Sequence, residues 1–135
     1  MKTNIIAEIG VNHNGDVSTA KRLIDEAKSS GATMVKFQIF QSDKLVSKNV
    51  SLADYQLKNT NMNTSQYELL KKLELSQSEL MQLRDYAIRK NIKFLSTAFD
   101  SESLNFLVEK LEVDMLKIPS GEITNGPFIK EHAKF

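Results

Sequence analysis

Short apolar runs alternate along the chain with longer stretches in which apolar residues recur every three or four positions. Ile5 to Ile9 reads as a short buried strand ending at Gly10; the loop V-N-H-N-G-D follows, with Asp16 placed as a helix N-cap. Ala20, Leu23, Ile24 and Ala27 then make one apolar stripe on a helix closed by Gly31. Met34 to Phe40 is the second strand. Strand, helix and strand with short joints form a βαβ unit, which implies a parallel pair. Residues 41–64 are polar and irregular, longer than such joints usually are, and a long loop there is more often functional than accidental. Ser65 with Glu68, and Ser76 with Glu79, carry capping-box patterns, the second with Leu75 and Leu80 spaced as a hydrophobic staple. Leu80, Leu83 and Ala87 form the core face of the helix that follows, which stops near Asn91. Ile92 to Thr97 is the third strand, and Asp100 caps a helix with Leu104, Leu107, Val108 and Leu111 on one side. Met115 to Ile118 is expected to be a fourth strand, broken at Pro119 and Gly121, and Gly126-Pro127 opens a last helix. The order β-α-β-α-β-α-β-α describes a parallel α/β protein.

Alternation within the strands decides where the polar residues go. In the second strand Val35, Phe37 and Ile39 share one face, and Lys36 and Gln38 the other. The apolar trio belongs against helices, so Lys36 and Gln38 point the opposite way, towards the axis if the sheet curls into a barrel. The same period sets Glu8 opposite Ala7 and Ile9, and Lys117 opposite Leu116 and Ile118, while Thr97 ends the third strand. Beyond the fourth strand, Ser120, Glu122 and Thr124 crowd around the break, as in parallel α/β proteins that build sites at the carboxyl ends of their strands. Two inward lysines and a carboxylate must pair with each other or hold a ligand, because a bare buried charge costs several kcal/mol or more. Hydroxyls and a glycine turn around two ammonium groups suit a small, multiply charged anion such as a phosphate-bearing carboxylic acid. Taken alone, V-K-F-Q-I-F is equally a half-exposed antiparallel strand with Lys36 and Gln38 in water. His13 reads as a loop histidine with a local hydrogen bond.

Composition narrows the classes. The 135 residues suffice for one domain with a real core, and 41% hydrophobic with 26% charged is ordinary globular usage. A net charge of +1 gives no whole-molecule field for nucleic acid or an anionic membrane. With no cysteine, disulfide and thiolate chemistry are excluded. No apolar run reaches the roughly 20 residues of a membrane span, and the first residues do not read as a secretory signal, so a soluble cytoplasmic protein is expected.

Five blocks in order carry a resemblance: A-E-I-G-V-N-H-N-G-D (7–16), V-K-F-Q (35–38), K-L-E-L-S (72–76), F-L-S-T-A-F-D (94–100) and K-I-P-S-G-E-I-T-N (117–125). Together they resemble the bacterial sialic acid synthases, the phosphoenolpyruvate-dependent synthases of N-acetylneuraminic, legionaminic and pseudaminic acids. The resemblance implies a (β/α)8 TIM barrel, of which this chain would supply the first four β/α units as residues 1–135. The second half of the barrel and the antifreeze-like domain that follows it in the family would be absent. It also implies that Lys36, Thr97, Lys117 and Ser120 contact phosphoenolpyruvate, that Gln38 and Asn61 contact an N-acyl amino sugar, and that Glu122, with Glu8 second, moves protons. Asn12 and His13 belong to a family motif at the mouth without an assigned step. A divalent metal, manganese or magnesium, is implied for the family, with its histidine ligands outside these residues.

A barrel needs roughly 250 residues. Half a scaffold with two open sheet edges is therefore expected to lack synthase activity by itself, and either to self-associate or to need the missing half. Two other readings stand beside the synthase. One is a Schiff-base aldolase using Lys36 or Lys117 as nucleophile. The other is a non-catalytic, anion-binding half-barrel remnant.

Overall fold

The computed structural model describes residues 3–47 and 65–135. Its centre is a three-stranded parallel sheet ordered β1-β2-β3, with β1 at Ile6–Gly10, β2 at Met34–Ile39 and β3 at Lys93–Ala98. Helix α1 spans Val17–Ser29, α2 Ser42–Leu45, α3 Gln66–Leu73, α4 Gln77–Arg89, α5 Ser101–Glu109 and α6 Gly126–His132. A single 3-10 turn covers Ser120–Glu122.

The helix boundaries follow from their caps. Asp16 accepts hydrogen bonds from the Ser18 and Thr19 amides at 3.0 and 3.1 Å and from both hydroxyls at 2.7 Å, which holds its carboxyl far below the usual carboxylate range. Ser65 and Ser76 each form a complete capping box, with Glu68 and Glu79 reaching back to the cap amides. Asp100 caps α5 through the Ser103 amide and hydroxyl. Each such cap is worth about 1 kcal/mol.

All three strands are parallel, and β2 is paired on both sides, which excludes a half-exposed antiparallel strand for V-K-F-Q-I-F. Val35, Phe37 and Ile39 face the helices and join Ile24, Leu80, Leu83, Leu104 and Leu107 in one buried cluster. Helix α1 packs on β1 and β2, while α4 and α5 pack on β3. Burying a side chain such as Leu83 or Phe37 contributes about 1.5–3 kcal/mol. The opposite face carries Glu8, Lys36, Gln38 and Thr97, as the two-residue period requires.

Two expectations fail here. The fourth strand over Met115–Ile118 is not formed, so among the described residues the sheet has three strands where four were expected. Leu116 packs against the core cluster, but a strand exists only through its ladder. Residues 115–118 make no backbone ladder to β3, and Met115 is 51% exposed. The second failure lies in residues 41–64, where a short helix, α2, occupies 42–45 in place of irregular chain. No helix among the described residues is long and apolar enough to cross a membrane.

Candidate functional site

Lys36 is the middle of the site. It projects from the central strand on the face away from the helices and is buried, at 9% exposure. Its ammonium forms an ion pair with the Glu8 carboxylate, from the residue in register on β1, and donates a hydrogen bond at 3.2 Å to Thr97 Oγ1 on β3. Thr97 stands two residues further along β3 than Leu95, the register partner of Lys36, so the lysine reaches towards the carboxyl ends of the strands. One cation thus bridges all three strands. Glu8 leaves 47% of its side chain open to solvent. Gln38 is in register with Thr97, and its amide lies beside Glu8 where β1 ends.

The arrangement explains how a lysine is tolerated there. The charge is compensated by a carboxylate and a hydroxyl, and the open side of Glu8 keeps the pair close to water. An anion binding there would have to compete with the Glu8 carboxylate for the Lys36 ammonium.

The residues after β3 are placed separately. Lys117 is half-buried and makes no hydrogen bond or ion pair among the described residues. Ser120 is exposed in the 3-10 turn, and Glu122 accepts a hydrogen bond from Asn125 Nδ2 at 2.7 Å. No hydrogen bond or ion pair connects Lys117, Ser120 or Glu122 with the Glu8–Lys36–Thr97 group. Asn61 lies outside the described residues.

His13 is not in the mouth. It is fully buried, stacked at 6.1 Å on Phe37, a residue of the helix-facing side. Its Nδ1 accepts a hydrogen bond from the Gly15 amide at 3.0 Å, the local bond expected of a loop histidine. Burial pushes its pKa below the ordinary value, against the opposing effects of the Gly10 carbonyl and the charges of Asp16 and Glu79. The K-L-E-L-S block also has structural work that its spacing did not reveal. Glu74 accepts from the Ser42 amide at 3.0 Å and the Ser42 hydroxyl at 2.6 Å, and it pairs with Lys71 at 3.2 Å. It therefore ties the exit of β2 to the start of α4. Burial works to raise the Glu74 pKa, but the bonds from Ser42 and Lys71 outweigh it and hold the carboxyl below its ordinary value.

A groove of about 760 Å³ opens at the opposite, amino-terminal ends of β2 and β3, among Met34, Lys93, Leu95, Val113 and Met115. It includes none of the polar residues gathered around Lys36, so the charge cluster marks the site. Among the described residues no three His, Asp or Glu side chains gather as a metal ion would need. Glu8 is engaged by Lys36, and His13 lies behind the sheet, so these residues do not fit the divalent ion that the family implies.

Known proteins resemble the chain over nearly its whole length. The chain is 52% identical over 129 residues to the N,N'-diacetyllegionaminic acid synthase of Legionella pneumophila, covering 96% of this chain and 36% of that protein. It is 50% identical over 133 residues to the synthase of the same name from Campylobacter jejuni, covering 98% and 40%. The crystal structure of N-acetylneuraminic acid synthetase from Leptospira borgpetersenii, in complex with citrate, superposes with a TM-score of 0.79 at 33% identity, over 99% of this chain and 42% of that one. The chain thus spans well under half the length of these relatives. A profile of the NeuB family matches residues 23–135, and the chain belongs to that family.

Proposed function

We propose that this chain carries part of the active site of a phosphoenolpyruvate-dependent synthase, which condenses phosphoenolpyruvate with an N-acyl hexosamine into a nine-carbon 2-keto sugar acid. The observation that carries the reading is the buried Lys36 ammonium, held between Glu8 and Thr97 at the carboxyl ends of parallel strands in a chain half identical to legionaminic acid synthases. In this reading the described strands belong to a (β/α)8 barrel, residues 1–135 supply its first half, and Met115–Ile118 joins β3 when the rest of the barrel is present.

The reaction assigns each group a task. The methylene carbon of phosphoenolpyruvate attacks the aldehyde carbon of the open-chain sugar, forming the C–C bond, and the aldehyde oxygen takes up a proton. Water adds to the resulting oxocarbenium carbon and gives up a proton. The C–O bond to phosphate then breaks, so that phosphoenolpyruvate, sugar and water yield the keto acid and inorganic phosphate. Lys36 and Lys117 hold the anion, with Thr97 and Ser120 donating hydrogen bonds, a preorganised electrostatic site. Gln38 and Asn61 contact the acylamino sugar. Glu122 moves the protons, with Glu8 second, since both proton steps need a carboxyl within reach. The ion pair bears on the aldolase alternative at Lys36 alone, since it engages that amine with a carboxylate and leaves Lys117 untouched.

The test replaces the matching segment of the Legionella synthase with this chain and assays phosphate release from phosphoenolpyruvate and an N-acyl hexosamine. The hybrid should turn over, and Lys36→Ala in it should lose at least about a hundredfold in kcat/KM, as expected for removing a group that stabilises charge in the transition state. A hybrid in which Lys36→Ala is as active as its parent overturns the assignment. The 135-residue chain by itself should release no phosphate, and release by the purified chain would refute that part.

A further inference from the structure

We propose that Gly10 is a positioning residue of this site: its α-carbon is the floor on which the Glu8 carboxylate and the Gln38 amide meet. What those two groups act on rests on the function proposed above, but their placement does not. Between Glu8 and Gly10 the register of β1 against β2 slips by one residue, so that Glu8 pairs with Lys36 while Gly10 pairs with Phe37. The slip ends on Gly10 at φ +55, in the left-handed region. A β-carbon on Gly10 would lie 3.0 Å from Glu8 Oε1, 3.4 Å from Gln38 Nε2 and 3.8 Å from Glu8 Cδ. Two side chains from two strands therefore converge on the one volume that a glycine leaves empty.

An added methyl group would press on the end of a glutamate, which gives way by swinging and leaves the strand intact. A shift of a few tenths of an ångström relieves the contact, and because the same carboxylate holds Lys36 through its other oxygen, the shift moves that pair and changes the surroundings of the Gln38 amide. The bond from Lys36 to Thr97 lies on the far side, towards β3, and is untouched. Gly10→Ala should thus divide the site, keeping the cation and hydroxyl and shifting the carboxylate and amide. Gly31 supplies the control. It also has positive φ, +85, and nothing lies within 4 Å of its β-carbon position. Gly31→Ala therefore brings similar backbone strain without touching the site.

The experiment is NMR on the full chain with glutamate Cδ and glutamine side-chain amides labelled, without ligand. The Glu8 Cδ and Gln38 Nε2 resonances should move in Gly10→Ala and stay in place in Gly31→Ala. Resonances that stay in Gly10→Ala, or that move equally in both variants, overturn the proposal. Should Gly10→Ala unfold, Glu8→Ala in the same chain should restore folding and bring its melting temperature relative to Glu8→Ala alone to the loss seen for Gly31→Ala; no restoration overturns it too. Phosphoenolpyruvate is then titrated into each folded variant. Its affinity should change less than about threefold in Gly31→Ala and fall at least about tenfold in Lys36→Ala, the loss of a charge-assisted bond. A wild-type chain that binds no phosphoenolpyruvate counts against the functional reading alone, and the resonances still decide the role of Gly10.

Discussion

Gly15 lies against the backbone of Lys72, so close that a β-carbon there would sit 2.2 Å from the Lys72 carbonyl oxygen, and its φ is +75. The clash is with main chain that cannot swing aside. Gly15→Ala should therefore destabilise by about 2–4 kcal/mol, the sum of overpacking and left-handed strain, as read by chemical denaturation. A loss under about 1 kcal/mol would show that α3 moves freely away. His13, two residues earlier, makes a pH prediction. Its folded pKa lies below the ordinary 6.5, so on acidification the unfolded chain takes up a proton that the folded chain refuses. Stability from this group is complete above pH 6.5 and declines as pH falls below it towards the folded value. His13→Gln should flatten that part of the curve of stability against pH, whatever it does to the plateau. A loop histidine with a local hydrogen bond is legible in the sequence, and the Gly15 amide supplies that bond. Which side of the sheet the ring occupies was not readable, because it depends on packing against Phe37, 24 positions away.

At the scale of elements, what was legible was what is local. Asp16, Ser65, Ser76 and Asp100 were all read as caps, and all four cap, because a side chain reaching an amide two or three residues on is written in consecutive positions. Ser76→Ala removes one capping box at the head of α4 and should cost about 1 kcal/mol, or a few degrees in Tm, by calorimetry. Helix α2 was missed since a polar four-residue turn has no stripe to reveal it. Its first residue is held by Glu74, 32 positions away, a contact no window can contain. Glu74 is accordingly an acid-sensitive tie. Its pKa is depressed in the folded chain, so its contribution is present above the ordinary value of 4.5 and lost as pH falls below it. Glu74→Gln should lessen the decline in stability below pH 4.5, and an unchanged acid limb would remove Glu74 from that role. The strand expected at Met115–Ile118 failed for the converse reason: its pattern is local, but its existence needs an edge to pair with.

For the whole molecule, the sheet has helices on one face and charge on the other, with large apolar residues such as Ile5, Ile6 and Met115 exposed. Among the described residues both edges of the sheet are unpaired, and such edges and side chains favour association with another chain. In sedimentation at micromolar to millimolar concentration the purified chain should exceed monomer mass, and a monodisperse monomer throughout would refute this. The parallel α/β class and the sorting of Lys36, Gln38 and Glu8 to one face were legible because a strand's two sides alternate by rule. The meeting of Glu8 with Lys36 also required the register between strands, and the slip at Gly10 left no mark that a single sequence could show. That alternation makes the length of β2 unforgiving. One residue inserted ahead of Lys36 would turn the strand over, drive an ammonium among leucines and hang two phenyl-bearing or branched side chains into the water. Substitutions in V-K-F-Q can be graded and repaired, whereas a change in its spacing trades oil for salt along the whole ribbon.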